Sequence, residues 1–84
     1  MNYVYILQSE KNGRFYVGST TDFNKRMIEH QEGLVLSTKA YRPWKVVFRQ
    51  EFENYSGARK AELKIKRYKR RDYIIKLING GLVL

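Results

Sequence analysis

Two short apolar runs separated by an Asn-Gly pair most constrain what this chain can fold into. The first run spans residues 3 to 7 and is apolar at both alternating positions, and the second spans residues 15 to 18 and ends in glycine. A strand that is apolar on both faces must be covered on both, so strand 3 to 8 is expected in the middle of a sheet. Asn12-Gly13 is a strong signal for a tight turn, so the two runs predict an antiparallel hairpin.

The hairpin register decides where two tyrosines lie. With Asn12-Gly13 as a two-residue turn, Tyr5 faces Thr20 across the hairpin. Because side chains alternate with a period of two, Tyr5, Tyr16 and Gly18 then share one face. This predicts two phenols on one surface beside a position without a side chain, whereas a loop longer by one residue would separate them. Packing alone is an open alternative for both rings, since tyrosine favours strands.

The rest of the chain predicts a small α+β domain. Residues 34 to 43 show no clear period and predict a loop, and the apolar tail, residues 82 to 84, is expected to fold back on the core. The capping and periodicity signals predict a helix over 22–32 and a strand over 44–52. They also predict a long helix after a cap at Asn54 or Ser56, and a helix over 72–79 capped by Asp72. The order is β-β-α-β-α-α, which predicts one domain, 1–84, with a three-stranded antiparallel sheet and flanking helices.

The charge of the chain points to a polyanionic partner. Lys and Arg number 17 against 8 Asp and Glu, for a formal net charge of +9. Nucleic acid is the first candidate, because neutralising phosphates releases counterions. Solubility alone and an acidic protein surface are the alternatives. Lys39 and Arg42 in the predicted loop, and Lys64 and Arg67 on the long helix, are the nucleic-acid-binding candidates.

Composition also bears on where the protein is located and on which kinds of metal site it can form. The chain has no cysteine, which excludes disulfides and thiolate metal sites. No apolar run approaches the roughly 20 residues of a membrane span, and the N-terminus lacks a signal-peptide layout. A membrane surface usually needs an amphipathic helix with exposed apolar bulk, which the sequence does not show. We therefore expect a cytoplasmic protein with no membrane partner.

Two polar residues lie on the inward stripe of the first predicted helix. The stripe consists of Phe23, Arg26, Met27 and His30, at i, i+3, i+4 and i+7. A guanidinium on a core-facing edge must meet an anion or reach past the core to one. For Arg26 the alternative is a side chain that extends to solvent over apolar neighbours, and for His30 a hydrogen bond to a backbone carbonyl.

Glu62 is the only acid among residues 59 to 71, and it lies on the inward stripe of the long helix. The apolar members of that stripe are Ala58, Ala61, Ile65 and Tyr68. A solvated carboxylate that balanced the neighbouring cations would belong on the outer face. Glu62 is therefore a candidate metal ligand or catalytic acid, and a buried ion pair with one of the cations is the competing interpretation.

In order along the chain, these residues resemble the GIY-YIG nuclease domain. The matching pieces are Tyr3-Val4-Tyr5, Tyr16-Val17-Gly18, Arg26, His30 and Glu62. The first tripeptide has Tyr-Val where the family has Gly-Ile, and the second has Val for Ile. The resemblance covers essentially the whole chain and is closest to the small stand-alone bacterial members.

The resemblance implies metal-dependent hydrolysis of a phosphodiester. Glu62 would hold one Mg²⁺ or Mn²⁺ ion, and Arg26 would bind phosphate oxygens as charge develops. Tyr5 would be the base, with His30 hydrogen-bonded nearby, and Tyr16 would position the reactants, although the two tyrosines could exchange roles. A free phenol is a poor base at neutral pH, so the positive surroundings are expected to lower its pKa.

The function that follows is a divalent-metal-dependent endonuclease acting on DNA, structure-selective or weakly specific, in DNA repair or processing. RNA and the oligomeric state stay open, and specificity would come from residues 34–43 or from a protein partner. The alternative is a catalytically weak or inactive nucleic-acid-binding module of the same fold. Asn79 matches a late polar residue of the family, but a helix-end Asn explains it equally well.

Overall fold

A three-stranded antiparallel sheet forms the centre of the fold. The computed structural model describes residues 1–68 and 70–83. β1 (Asn2–Ser9) lies between β2 (Phe15–Thr20) and β3 (Trp44–Phe52). The helices are α1 (Phe23–Gln31), α2 (Leu36–Lys39), α3 (Tyr55–Tyr68) and α4 (Arg71–Ile78). The predicted fold class and the central position of the first strand are both confirmed.

Ser9 and Arg14 close the hairpin around the four residues 10–13, so the prediction of a two-residue turn is wrong. The Ser9 amide donates to the Arg14 carbonyl at 2.8 Å, and the Gly13 amide donates to the Ser9 carbonyl at 2.9 Å. The Ser9 hydroxyl accepts hydrogen bonds from the amides of the next turn, Lys11 and Asn12. These bonds stabilise the longer loop, and Gly13 supplies its left-handed residue at φ 79°.

The longer loop moves the register by two residues without changing faces. Tyr5 pairs with Gly18 rather than with Thr20, and Leu7 pairs with Tyr16. A shift by an even number preserves the alternation of side chains, so both phenols stay on the same face. The prediction of a shared face is confirmed although the predicted register is wrong.

α1 begins and ends close to where the capping residues predict. The Asp22 carboxylate accepts the Lys25 amide at 3.1 Å, and Gly33 follows the helix at φ 79°. Residues 34–43, predicted as an irregular loop, contain the single turn α2, in which the Thr38 and Lys39 amides donate to the Val35 carbonyl. One turn is too short to leave a periodic pattern in the sequence.

α3 presents a mixed face to the sheet. Asn54 caps it by accepting the Gly57 amide at 2.9 Å. The buried residues are Ala58, Ala61, Glu62 and Ile65. Tyr68, predicted on that face, is exposed, and its ring packs edge-on against Tyr73 of α4, with centroids 4.9 Å apart.

α4 begins one residue earlier than predicted, at Arg71. Asp72 therefore lies in the first turn and forms an ion pair with Arg70 instead of capping the helix. Neither α4 nor any other helix in the described part of the chain combines the length and hydropathy that crossing a membrane requires.

The C-terminal tail returns to the sheet, as predicted. Val83 is buried, and its amide donates to the Gln50 side chain at 2.8 Å. The Gln50 side chain in turn donates to the Val83 carbonyl at 3.2 Å. Leu82 is exposed, and Leu84 lies outside the described residues.

β1 divides the core into two clusters, since its alternate residues face opposite sides of the sheet. The aliphatic cluster contains Val4, Ile6, Phe48, Ala61, Ile65, Ile74, Leu77 and Val83. The aromatic cluster contains Tyr5, Leu7 and Trp44, with Tyr16, Phe23, Met27 and Tyr41 packed around them. The period of two along the strand thus separates a mostly apolar layer, beside α3 with its buried Glu62, from the aromatic layer.

Candidate active site

The Tyr5 phenol lies directly over Gly18 of the edge strand β2. A Cβ atom on Gly18 would lie 2.5 Å from the Tyr5 hydroxyl oxygen and 2.7 Å from Cζ. No side chain fits there, so glycine is what allows the phenol to cross the strand. The side-chain-free space predicted beside the two tyrosines is therefore occupied by Tyr5 itself.

Tyr5, His30 and Thr38 form a buried chain of hydrogen bonds. Thr38 Oγ1 lies 3.3 Å from the Val35 carbonyl and 2.8 Å from His30 Nδ1, and when it donates to Val35 it accepts the Nδ1 proton. His30 Nε2 is then the acceptor for the Tyr5 hydroxyl at 2.9 Å. Burial, assisted by the charge of Arg26, lowers the pKa of His30 to about 4, so the imidazole is neutral at neutral pH.

The pKa of Tyr5 is raised to about 12, so the prediction of a lowered value is wrong. Burial is the main cause, because Tyr5 is completely enclosed. The hydrogen bond from Arg26 acts in the opposite direction but is the smaller influence. Tyr5 is therefore protonated at neutral pH, with its hydroxyl 2.9 Å from His30 Nε2 and the Arg26 guanidinium nearby.

Arg26 connects the buried chain to solvent. Its side chain is 35% exposed, and Nη1 donates to Glu29 Oε1 at 3.2 Å. The hydrogen bond with Tyr5 raises the pKa of Arg26, which keeps the guanidinium charged. Arg26 lines a shallow cavity of about 330 Å³ together with Ser19, Thr20, Thr21, Asp22, Lys25, Glu29 and Tyr55.

Tyr16 packs beside the same chain. Its ring centroid lies 5.1 Å from that of His30 and 6.4 Å from those of Tyr5 and Trp44. The ring is half-buried, in contrast to the enclosed Tyr5. The structure therefore places Tyr16 as a wall of the site, next to the hydrogen-bonded residues.

Glu62 is buried at the sheet-facing side of α3, with its side chain 7% exposed. Oε1 accepts from the Ser19 hydroxyl at 2.5 Å and from Arg59 Nη1 at 2.7 Å, and Oε2 accepts from Lys66 Nζ at 2.6 Å. Burial alone would raise the pKa of this carboxyl, but the hydrogen bonds from Lys66, Ser19 and Arg59 together hold it below its usual value. In the protein without ligands, Glu62 therefore forms buried ion pairs, which is the alternative to a metal ligand that the sequence left open.

The two halves of the site meet at β2. Gly18 faces Tyr5, and the next residue, Ser19, faces α3 and donates to Glu62. The negative charge of Glu62 contributes to the raised pKa of Tyr5, so the two groups are electrostatically coupled. The site therefore extends around the edge of the sheet, from the aromatic face to the face covered by α3.

Sequence reasoning missed four residues that support the site. Arg59 and Lys66 lie three and four positions from Glu62, a helical spacing that would have indicated contact. Alternation along β2 would have placed Ser19 on the face opposite Gly18. Thr38 lies in a segment without a period, where the sequence carries no comparable signal.

The four predicted nucleic-acid contacts lie outside this site. Arg42 donates to the backbone carbonyls of Lys39 and Gln31, at 2.9 and 3.5 Å, so its guanidinium also holds the loop together. Lys39 is exposed. Lys64 and Arg67 line a groove of about 350 Å³ on α3. Asn79 is exposed at the end of α4.

Comparison with known proteins gives one consistent result. The chain matches the GIY-YIG catalytic domain over residues 1–79. It is 37% identical over 81 residues to a UPF0213 protein of Staphylococcus saprophyticus, covering 95% of this chain and 96% of the relative. A UPF0213 protein of Listeria welshimeri is 38% identical over 72 residues, covering 84% of this chain and 79% of the relative.

A solved structure agrees with the sequence matches. The solution NMR structure of the UPF0213 protein BH0048 from Bacillus halodurans superposes with a TM-score of 0.60 at 31% identity. The match covers 96% of this chain and 87% of that protein. Together these findings confirm the family resemblance and the fold.

Proposed function

The chain belongs to the GIY-YIG nuclease family, and from this premise we propose that it is a divalent-metal-dependent endonuclease that hydrolyses phosphodiester bonds in DNA. One observation carries the proposal: around one edge strand, Gly18 admits the Tyr5 hydroxyl beside a charged arginine, and Ser19 holds a buried carboxylate. A plain core has no need of these polar groups. A structure-selective or weakly specific role in DNA repair or processing is part of the same proposal.

Arg26 would bind the phosphate that is cleaved. It is permanently charged, partly exposed and open to the cavity beside β2, so phosphate oxygens can reach it. A guanidinium offers several donors in a fixed plane, which suits an anion whose charge grows in the transition state. Because the charge of Arg26 lies close enough to Tyr5 to influence its pKa, Arg26 would place the phosphate next to the phenol.

Tyr5 and His30 would move the proton of the attacking water. Tyr5 is protonated at neutral pH, so it cannot act as a ready-made phenolate. Tyr5 is enclosed in the free protein, so its hydroxyl would take the proton of water only once Arg26 has turned to the phosphate, and it would pass its own proton to His30 Nε2. Thr38 holds the tautomer that this transfer needs, and Tyr16 would restrict the position of the reactants.

Glu62 fits a divalent metal of the type this family uses. Carboxylate oxygens suit Mg²⁺ and Mn²⁺, and Mg²⁺ often takes one or two carboxylates and completes its shell with water and substrate phosphate. Within residues 1–68 and 70–83, no three His, Cys, Asp or Glu side chains come together, so Glu62 would be the protein ligand. When bound, the ion would polarise the phosphate and stabilise the leaving oxygen.

The basic surface would hold the nucleic acid around the site. Lys64 and Arg67 on α3 and Lys39 near α2 would contact phosphates on either side, and Arg42 would support Lys39 through its carbonyl contact. The formal charge of +9 supplies attraction without sequence preference. A protein partner would then supply any targeting, in the cytoplasm.

Nicking of supercoiled plasmid tests the proposed activity. The wild type, Glu62→Gln, Arg26→Ala and the matched control Glu32→Gln are compared with Mg²⁺, with Mn²⁺ and with EDTA. We expect Glu62→Gln and Arg26→Ala to lose about 100-fold in rate or more. Glu32 is exposed at the end of α1, and its variant should match the wild type. Equal nicking by all four proteins would indicate a contaminant and overturn the proposal, and parallel RNA substrates test the preference for DNA.

A nucleic-acid-binding module without useful catalysis is the second candidate function. It is favoured by the ion pairs that engage both oxygens of Glu62 in the protein alone. This candidate predicts tight binding of DNA with a steep dependence on salt, and no cleavage with any divalent metal. Cleavage that disappears in Glu62→Gln would exclude it.

A further inference from the structure

Lys66 occupies the carboxylate that would hold the metal. Its Nζ lies 2.6 Å from Glu62 Oε2, while Oε1 is held by Ser19 at 2.5 Å and by Arg59 at 2.7 Å. The ammonium of Lys66 would repel a divalent cation at Oε2, so Lys66 would compete with metal binding as long as it stays there. The free protein carries an internal competitor for the site on which the proposed function rests.

Lys66 is the partner whose departure frees an oxygen of Glu62. Ser19 is fixed by the pairing of β2 with β1, and Oε1 has a second donor in Arg59. The Lys66 side chain is 46% exposed and carries a compact charge on a flexible four-carbon stem. It can leave Oε2 for solvent without disturbing the core, and Oε2 then becomes available to another ligand.

The displaced ammonium would lie beside a doubly charged ion unless an anion separates the two. Lys66 is one helical turn from Glu62, so its Nζ stays within reach of a group bound there. A backbone phosphate that ligates the ion would supply the negative charge at that place. Nucleic acid would then favour metal binding by removing the competitor as well as by ligating the ion.

We propose that Lys66 is a positioning residue that couples metal binding to nucleic-acid binding. In the free protein it holds Glu62 Oε2, and in the complex it moves to a phosphate of the substrate backbone. By thermodynamic reciprocity, the metal must then favour nucleic-acid binding to the same degree. The inference rests on the proposed function, because it takes Glu62 as the metal ligand.

Titration with Mn²⁺ in the absence of nucleic acid tests the competition directly. The electron paramagnetic resonance signal of free Mn²⁺ gives the affinity of the wild type, Lys66→Gln, Lys60→Gln and Glu62→Gln. We expect Lys66→Gln to bind Mn²⁺ about tenfold more tightly than the wild type. Lys60→Gln removes the same charge from an exposed position on α3 and should change the affinity much less. Equal affinities for Lys66→Gln and Lys60→Gln would overturn the inference.

A second titration measures the coupling itself. It uses a short DNA duplex and the Tyr5→Phe background, so that the strands stay intact. The duplex should increase the Mn²⁺ affinity more when Lys66 is present than when it is Gln, and an equal increase in both would contradict the inference. Glutamine is a good helix former at a half-exposed site, and thermal melting verifies that both proteins are folded.

The outcomes separate this inference from the proposed function. Equal Mn²⁺ binding by the wild type and Glu62→Gln would remove Glu62 as the metal ligand, and both proposals would fail. Binding that is lost in Glu62→Gln but is the same in Lys66→Gln and the wild type would overturn only the role of Lys66.

Discussion

The two faces of the sheet are built from alternate residues of one strand, yet they have different chemistry. Val4 and Ile6 face α3 and α4 in a cluster that is almost entirely aliphatic. Tyr5 and Leu7 face α1, where the cluster includes phenols and the Trp44 indole. One strand therefore contributes to an apolar core beside α3 and to an aromatic core that carries Tyr5 and His30, while Glu62 joins the site from the α3 side.

The polar atoms of the aromatic face are paired with each other. Trp44 Nε1 donates to the Thr38 carbonyl at 2.8 Å, and the Thr38 hydroxyl is the partner of His30. No buried side-chain nitrogen or oxygen in the described part of the chain lacks a hydrogen-bond partner. The comparison shows that this face can hold reactive groups without losing stability, provided that each buried polar group keeps its partner.

Truncating the aliphatic face should give the largest loss of stability. Ile6→Ala should lower the free energy of unfolding by about 4 kcal/mol, because it leaves a cavity at a fully buried position, while Ile6→Val should cost about 1 kcal/mol. Urea unfolding measures both. Cleavage per folded molecule should be unchanged in Ile6→Val, and a large loss of rate there would show that the two faces are not separable.

Acid should weaken the aromatic face through His30. The pKa of His30 is about 4 in the fold and near 6.5 in an unfolded chain, so the unfolded state binds the proton first as pH falls. The free energy of unfolding keeps the full contribution of neutral His30 above pH 6.5. It falls by about 3 kcal/mol in total as the pH is lowered from 6.5 to 4. Urea unfolding across this range should show a smaller loss in His30→Gln, and identical slopes would contradict a buried neutral histidine.

Gly18→Ala tests the contact between the edge strand and the phenol. A methyl group 2.5 Å from the Tyr5 hydroxyl forces the ring to move, at a cost of about 2 kcal/mol. The displaced ring should also lose its bond to His30, which the chemical shifts of the imidazole report. Unchanged stability and unchanged shifts would mean that Tyr5 does not cross β2 at this point.

Thr38→Val should have the smallest effect on stability, about 1 kcal/mol, because it removes one hydroxyl and leaves His30 Nδ1 without its acceptor. Nitrogen NMR of the imidazole should show the Nδ1-protonated tautomer in the wild type and a shift of the tautomer balance in the variant. The same tautomer in both proteins would show that Thr38 does not fix the ring.

Much of the fold could be predicted because its local signals agree with the tertiary structure. Asp22 and Gly33 delimit α1, and the doubly apolar run of β1 requires a central strand. The hairpin loop could not be predicted from Asn12-Gly13 alone, because the Ser9 hydroxyl stabilises a longer loop through contacts that composition does not reveal.

The candidate site was predictable where a polar residue interrupts an apolar stripe. Arg26, His30 and Glu62 are conspicuous for that reason, and the structure places all three where their stripes predict. The pKa of Tyr5 was not predictable, because nearby cations show in the sequence whereas the depth of burial does not. The contact of Thr38 with His30 was not predictable either, because Thr38 lies in a segment without a periodic pattern.

The most direct test of the central claim compares two phenols on the same strand. Tyr3 and Tyr5 lie on the same face of β1, but the Tyr3 hydroxyl donates to Glu51 at the exposed rim, at 3.4 Å. Single-turnover cleavage of a labelled duplex with Mn²⁺ should be slowed about 100-fold or more by Tyr5→Phe and left unchanged by Tyr3→Phe. Equal rates for the wild type, Tyr5→Phe and Tyr3→Phe would contradict the assignment of a catalytic role to Tyr5.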